Sequence, residues 1–383
     1  MRHVLIFTMK GLNTDRLPFT TRDQKPRVIF LISFLVAVVV FWLYFYIPRL
    51  VHAPSFVYDD EAVVKQQRLY TETALKLPES LAQKNVVLIA VGDSMLSRVV
   101  GQKMRAYNDY RYPFLKTGAF LRDADITFGN LETAVFPGPP IKTGEMLFRA
   151  DTESLEGLIF AGFDLVSLAN NHTPNFGTEG LQKTFAYLQE SEIGFVGAGE
   201  SEYSARAPYI IERNGITFGF LAYNDERVVP QSYAAQDGHA GTAFMDSLKM
   251  TEDVSVLKNS VDFVIVSMHA GVEYTYTHST RQKEFAHDAI DAGAALVIGH
   301  HPHWVQRMEK YKNGYIIYSL GNFVFDQMWS QETREGAIAI ITFSQKEIEL
   351  IDFKTVIIED YSQPRFTTDE EHARIMSHIL IKE

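Results

Sequence analysis

Cysteine is absent from all 383 residues, which removes disulfides, thiolate nucleophiles and cysteine-bound metals. Positive charge is in short supply as well. Against 47 aspartates and glutamates stand 36 lysines and arginines, and the net charge of −11 argues against a nucleic-acid surface, which needs a basic stripe. No internal repeat or low-complexity tract occurs, so repeat arrays are excluded. What remains available is chemistry by carboxylates, carboxamides and imidazoles, on a chain long enough for one large α/β domain or two small ones.

One long apolar run is present. Val28 to Ile47 reads VIFLISFLVAVVVFWLYFYI, without a charge, the length a bilayer-spanning helix requires. Trp42, Tyr44 and Tyr46 in its second half suit an interfacial aromatic belt. Arg2, Lys10, Arg16, Arg22, Lys25 and Arg27 precede it against Asp15 and Asp23, a bias that keeps the amino terminus in the cytoplasm and sends the rest across. A cleaved signal peptide, with Val51-His52-Ala53 as the cleavage site, is the competing reading. Its apolar region is usually 7–15 residues, shorter than this one, so an uncleaved anchor is preferred. Pro48 and Pro54 open a stalk that continues through the polar stretch Asp59 to Lys84.

Beyond the stalk, short uncharged runs alternate with helical patterns. Val86–Val91 closes on Gly92-Asp93, and Asp125–Phe128 leads into Gly129-Asn130-Leu131-Glu132. Phe163–Leu168 leads into Ala169-Asn170-Asn171-His172, Val261–Met268 into His269, and Ala294–Ile298 into Gly299-His300-His301-Pro302-His303. Thr152–Ala161, Thr178–Glu190 and Arg281–Asp291 carry helical periodicity. This alternation predicts a mostly parallel, helix-covered sheet. Ala207–Arg213 and Ile216–Tyr223, parted by Asn214-Gly215, predict a β-hairpin.

Five of these strands end in metal-competent side chains: Asp93, Glu132, Asn171, His269, and the pair His301 and His303. Taken singly, such residues are ordinary turn or helix-cap residues. Together they fall at the strand ends where open α/β sheets carry their sites. A mixed carboxylate, carboxamide and imidazole set suits a divalent ion of the Mn, Fe or Zn class. Six candidates exceed one tetrahedral ion and match two ions sharing a bridging carboxylate, the arrangement used in hydrolytic displacement.

The series Gly92-Asp93, Asn130-Leu131-Glu132, Ala169-Asn170-Asn171-His172, His269, Gly299-His300-His301-Pro302-His303 and Ser319-Leu320-Gly321-Asn322-Phe323 resembles the bacterial capsule-synthesis (CapA, poly-γ-glutamate capsule) family, which looks like a branch of the calcineurin-like metallophosphatases. The resemblance implies a four-layer α/β/β/α metallophosphatase-like sandwich, preceded here by the one transmembrane helix. The resulting division is a cytoplasmic segment at 1–27, the anchor at 28–47, the stalk at 48–84, the CapA-like domain at 85–355 and a C-terminal tail at 356–383. Carried over position by position, it puts Asp93 and His303 on a first ion, Glu132 between two ions, and Asn171, His269 and His301 on a second. His172 matches the histidine that protonates the leaving group, or alternatively orients Asn171, and His300 supports the loop. Two departures stand out. Asp93-Ser94-Met95 lacks the histidine that superfamily phosphatases carry two residues after the aspartate, which implies a weakened first ion. Thr173-Pro174-Asn175 also stands where the family often continues with an aspartate.

These readings leave three functions open: a metal-dependent hydrolase acting on an envelope polymer, a non-catalytic accessory of a capsule or poly-γ-glutamate synthase, and a small-molecule metallophosphatase. The expected partners are the membrane and synthase subunits, with no nucleic acid. A polyanionic polymer is repelled on average by a chain of net charge −11, so contact through a single metal-bearing site is expected rather than a long track. Arg98 and Arg149 are weighed as receptors for an anionic substrate against ordinary solvated surface roles.

The anchor predicts a topology. Protease added to intact spheroplasts expressing the full chain should remove the large domain; survival of that domain until the membrane is opened would overturn the assignment.

Overall fold

The computed structural model describes residues 85–380. The expected cytoplasmic segment, anchor and stalk lie outside the described residues, among which no helix is long and apolar enough to cross a membrane.

The strands fall into three consecutive groups. β1 (Val86–Ser94), β2 (Ile126–Leu131), β3 (Leu165–Ser167) and β4 (Gly194–Val196) pair in parallel and open a first sheet. A second sheet follows from β5 (Tyr209–Arg213), β6 (Ile216–Asn224), β7 (Phe263–His269), β8 (Leu296–His300), β9 (Met308–Tyr311) and β10 (Gly314–Ile317), in the order β9-β10-β8-β7-β6-β5. The chain then returns to the first sheet with β11 (Asn322–Val324), β12 (Glu335–Phe343), β13 (Ile348–Glu359) and β14 (Gln363–Phe366). That sheet runs β14-β13-β12-β1-β2-β3-β4, with β11 beside β1. β5 and β6 form the expected hairpin, and Asn214 (φ 53°) and Gly215 (φ 75°) supply the two left-handed residues a type I′ turn needs.

The continuous apolar runs are explained by burial on both faces. Along β1, Val86, Leu88 and Ala90 point into a layer shared with Phe218, Phe220, Ile265, Leu296 and Ile298 of the second sheet. Ile89 and Val91 point the other way, into a cluster with Val100 and Met104 of α1 (Arg98–Tyr107), Leu121 of α2 (Gly118–Arg122), Leu158 of α3 (Leu155–Ala161), and Leu181 and Leu188 of α4 (Gly177–Glu190). Met250 and Val254 of α5 (Ser247–Leu257) and Phe285 and Ala289 of α6 (Thr280–Ala292) cover the outer face of the second sheet. The layers therefore run helix, sheet, sheet, helix.

Two expectations are adjusted. The helix expected over Thr152–Ala161 opens with a 3₁₀ turn at Thr152–Ser154 before α3. The boundary after 355 falls inside β13, and the segment beyond it is part of the domain: β14 pairs with β13, and α7 (Asp369–Ile379) buries Ile375 and Ile379 in the inter-sheet layer. Polar spacing hid this helix, whose buried residues are only two.

The segment Tyr318–Asn322 crosses from the second sheet to the first at the site end. A Cβ at Gly299 would stand 2.0 Å from Tyr318 O, one at Gly92 2.0 Å from Gly321 O, and one at Gly336 2.0 Å from Asn322 O. Glycine is required at all three because the opposing atoms are backbone and cannot swing aside. Asp93 N donates to Gly321 O at 3.0 Å and Leu320 N to Gly299 O at 3.3 Å, so the crossover is bonded to both sheets. At Gly92 the pairing of β1 with β2 shifts register between Ala90 and Asp93. Without that irregularity Asp93 would share the helix-facing parity of Ile89 and Val91; the bulge turns it toward the second sheet.

Gly92→Ala and Gly299→Ala should each destabilise the fold by about 3 kcal/mol or more, the upper range for overpacking. Gly215→Ala, where only left-handed strain is added, should cost about 1–2 kcal/mol. Denaturant unfolding of the three variants checks this; equal small losses at all three positions would contradict the tight crossover.

Candidate metal centre

Asp93 is the penultimate residue of β1, beyond its bulge, and is fully buried. Its Oδ1 accepts from Asn130 Nδ2 at 2.8 Å and lies 3.5 Å from His300 Nδ1. Its Oδ2 accepts from His301 N at 3.2 Å and stands 3.4 Å from His303 Nδ1. Glu132 follows β2, held by its N–H to Ser94 O at 2.9 Å, and its buried Oε1 has no hydrogen-bond partner. Asp93, Glu132 and His303 offer one donor atom each within 4.8 Å of one another. These are the residues assigned to the first ion and the bridge.

The second set is close but differently engaged. His269 ends β7, and its Nε2 lies 3.0 Å from Asn171 Oδ1, while Nδ1 faces Asn130 Nδ2 at 3.4 Å. Asn130 can only donate there, so His269 donates from Nε2 to Asn171, and two expected ligands of the second ion satisfy each other. The His301 ring lies near that of His269, tilted by 55° with centroids 4.8 Å apart, and its Nδ1 is buried without a partner. His303 gives the opposite picture. Its Nδ1 meets Asn322 Oδ1 at 2.9 Å, and Asn322 Nδ2 is already used on Gln327 Oε1 and Thr333 O. The proton therefore sits on His303 Nδ1, leaving the Nε2 lone pair free for an ion.

His301 (φ 96°) and His303 (φ 59°) both occupy left-handed backbone. Such strain persists in non-glycine residues only where the surroundings enforce it. Here Pro302 O accepts from Tyr274 N at 2.9 Å and the His301 N–H is taken by Asp93, so the His-Pro-His turn is clamped from two sides.

Electrostatics sharpens the contrast between the carboxylates. Burial pushes Asp93 upward, but contact with His300 and His303 outweighs it and holds the carboxyl well below its usual range. Burial, then the charges of Asp93 and Glu273, push Glu132 well above its usual range. Burial, and after it the neighbouring His301, pulls His269 well down; burial and the neighbouring His303 pull His301 down to about 3. Neutral imidazoles keep their lone pairs, and a buried carboxyl pushed well above its usual range favours a nearby cation. Together with the unpartnered Glu132 Oε1, this donor set fits a divalent ion.

His172 sits beside Glu132, its Nε2 3.9 Å from Glu132 Oε1, and stacks on Phe148 with centroids 3.7 Å apart. Asn175 Oδ1 already accepts from Phe148 N at 2.8 Å, so its 3.0 Å contact with His172 Nδ1 places the ring proton on Nδ1. Burial lowers the His172 pKa to about 4. The ring is neutral at physiological pH, with its Nε2 lone pair toward the centre, and must take up a proton there before it can give one. Phe148 is what sequence patterning missed here, along with Asn130 and Asn322. Asn130 and Asn322 are strand-end carboxamides inside the motifs above, while Phe148 lies in a loop with no periodic signal.

Neither arginine weighed above is a free anion receptor, and neither is solvated. Arg149 donates to Phe136 O, Gly138 O and Pro139 O and clips that loop from within. Arg98 is paired with Asp326 and is 7% exposed.

The bacterial capsule synthesis protein PGA_cap family matches residues 87–327. The chain belongs to this family. Capsule biosynthesis protein CapA of Bacillus anthracis is 27% identical over 367 residues, covering 93% of this chain and 82% of that protein. PGA biosynthesis protein CapA of Bacillus subtilis (strain 168) is 32% identical over 251 residues, 65% of each. Among solved structures, the calcineurin-like phosphoesterase YfkN from Bacillus subtilis aligns at TM-score 0.44 and 10% identity, over 77% of this chain and 96% of that one. The PGA_cap match spans all six expected ligands and His172.

Glu132→Gln separates the cost of the centre from its use. A carboxyl whose pKa is raised on folding stabilises the fold below about 4.5, its ordinary value, and that contribution is lost as pH rises through the raised value. Metal-free Glu132→Gln should therefore be more stable than the parent at neutral pH, by on the order of 1–3 kcal/mol. The parent should gain about 2.7 kcal/mol from metal at one hundred times its Kd, and the variant less at the same concentration. Thermal unfolding with and without Mn²⁺ or Zn²⁺ reads both; a variant less stable without metal and equally stabilised by it would contradict the assignment.

Proposed function

We propose that this chain is a membrane-anchored, extracytoplasmic protein of capsule or poly-γ-glutamate biosynthesis or export, acting as a metal-dependent hydrolase on a phosphoester or amide-type bond. The supporting observation is the buried convergence of Asp93, Glu132 and His303, where one carboxyl lacks the counter-charge it needs. An ion of the Mn, Fe or Zn class bound there supplies Lewis acidity and a fixed positive charge. Asn130 and His300 both hold Asp93 at Oδ1, and Asn322 presents Nε2 of His303. His172 holds or moves a proton at Nε2 next to Glu132. Because Arg98 and Arg149 are engaged within the fold, the ion is the positive focus toward which an anionic polymer end would be drawn. The anchor at 28–47 and docking onto membrane-bound synthase subunits complete this reading.

A second reading, a non-catalytic accessory holding one ion, draws on three observations. His269 and Asn171 are bonded to each other, and His172 is partnered by the neutral Asn175 rather than by a carboxylate that would raise its pKa. Met95, where superfamily phosphatases carry a histidine, is fully buried with its sulfur accepting from Ser97 N at 3.1 Å.

Metal analysis and turnover of bis(p-nitrophenyl) phosphate and of poly-γ-glutamate by the detergent-solubilised full chain decide between them. The hydrolase reading predicts one tightly held equivalent, metal-dependent cleavage of one of these probes, and loss of both in His303→Ala. His269→Ala with His301→Ala should retain that equivalent. Tight metal without cleavage of either probe would favour the accessory, and no tightly held metal would overturn both.

A further inference from the structure

Ten described non-glycine residues have positive φ. Asn108, Glu192, Asn214, Lys312, Asp360 and Tyr361 lie in turns or at a helix end, where such geometry is ordinary. The other four, Arg98, Tyr274, His301 and His303, surround the metal centre. Two of these are expected ligands, and Tyr274 rests on one of them, its ring stacked on His303 at 5.9 Å. Arg98 touches no expected ligand, yet its left-handed backbone (φ 47°) is held at the first residue of α1. Strain of this kind in a large residue calls for a local reason.

The contacts of Arg98 supply it. Its guanidinium takes both carboxylate oxygens of Asp326, with Nε to Oδ2 at 3.1 Å, and the same Oδ2 accepts from Val99 N at 3.2 Å. Nη1 donates to Glu145 O at 3.2 Å, three residues before Phe148. The guanidinium carbon lies 4.5 Å from the centroid of the Phe148 ring, and that ring is stacked on His172 at 3.7 Å and 21°. His172 in turn stands 3.9 Å from Glu132. A buried cation, an aromatic ring and an imidazole thus form one stack ending at the centre. Asp326, which fixes the cation, lies two residues after β11, the strand that carries Asn322 and through it His303.

We propose that Arg98 is a positioning residue: fixed by Asp326, it presses Phe148 against His172 and holds the imidazole in register with Glu132. A guanidinium 4.5 Å from the phenyl centroid and an imidazole stacked on the same ring at 3.7 Å leave His172 little freedom to rotate. The strained φ is what turns the Arg98 side chain toward Asp326 and the ring. The functional side of this role rests on the proposal that His172 serves a hydrolytic centre; the positioning itself does not.

The test uses the full chain in detergent with ¹³C-labelled histidine, the His172 ring signals being identified by their loss in His172→Gln. Phe148→Leu removes the stacked ring and sets the reference displacement of those signals. Arg98→Met should displace them in the same direction, with bound metal unchanged from the parent. On bis(p-nitrophenyl) phosphate, kcat should fall about tenfold or more with KM unchanged, as expected for a misplaced proton-transfer group. Arg98→Lys keeps a cation but loses the planar fork, and should give a smaller displacement; it carries the test if the methionine variant does not fold. His172 signals identical to the parent in both folded Arg98 variants, while Phe148→Leu moves them, would overturn the proposal. Absence of turnover of both bis(p-nitrophenyl) phosphate and poly-γ-glutamate by the parent would overturn the hydrolase reading instead, and the histidine signals would still decide the positioning role.

Discussion

The centre depends on how closely one stretch of backbone passes between two sheets. Tyr318–Asn322 leaves the second sheet and enters the first with Gly299, Gly92 and Gly336 against it, each at a distance no Cβ would tolerate. That closeness brings the end of β1 to the end of β8. Asp93 can then accept from the His301 backbone and lie against His300 and His303, residues more than two hundred positions away in sequence. Any widening of this passage would separate the carboxylates from the imidazoles.

The same compression sets the electrostatics. Asp93 is ionised because imidazoles face it, while Glu132, a few ångströms further on, has burial and the Asp93 charge against it and no partner for Oε1. A fold that keeps an unsatisfied buried carboxyl beside lone-pair-bearing imidazoles forgoes stability in the metal-free state. Binding a cation turns that deficit into affinity. The two expected ion sites are unequal on these grounds. The Asp93, Glu132 and His303 set retains unfilled donor capacity, whereas His269 and Asn171 have closed on each other. The sequence departure at Met95 suggested the reverse ranking, since it removes a ligand from the first ion. The carboxamides Asn130 and Asn322 hold Asp93 and His303 in place through Asp93 Oδ1 and His303 Nδ1.

Much of this was legible from pattern. Runs such as Val86–Val91 and Leu296–Ile298 are buried on both faces, so they read as uninterrupted apolar stretches, and each ends in its ligand. Asn214-Gly215 announced its hairpin because two left-handed residues in succession admit few alternatives. The C-terminal strand and helix were not legible, because only Ile375 and Ile379 of that helix face the core. The stack behind His172 was invisible for a different reason. Arg98 opens a helix while Phe148 and Asp326 come from two separate loops, and the pair Arg98–Asp326 spans 228 residues. No periodicity links such positions, and each alone has an ordinary reading: a surface arginine, a loop phenylalanine, a capping aspartate.

The central claim is that a divalent ion belongs between Asp93, Glu132 and His303. Anomalous diffraction from crystals grown with Mn²⁺ or Zn²⁺ addresses it directly. The account predicts a strong peak about 2.0–2.3 Å from a carboxylate oxygen of each acid and from Nε2 of His303. Crystals saturated with metal that show no peak there, or show it only on exposed surface acids, would contradict the account.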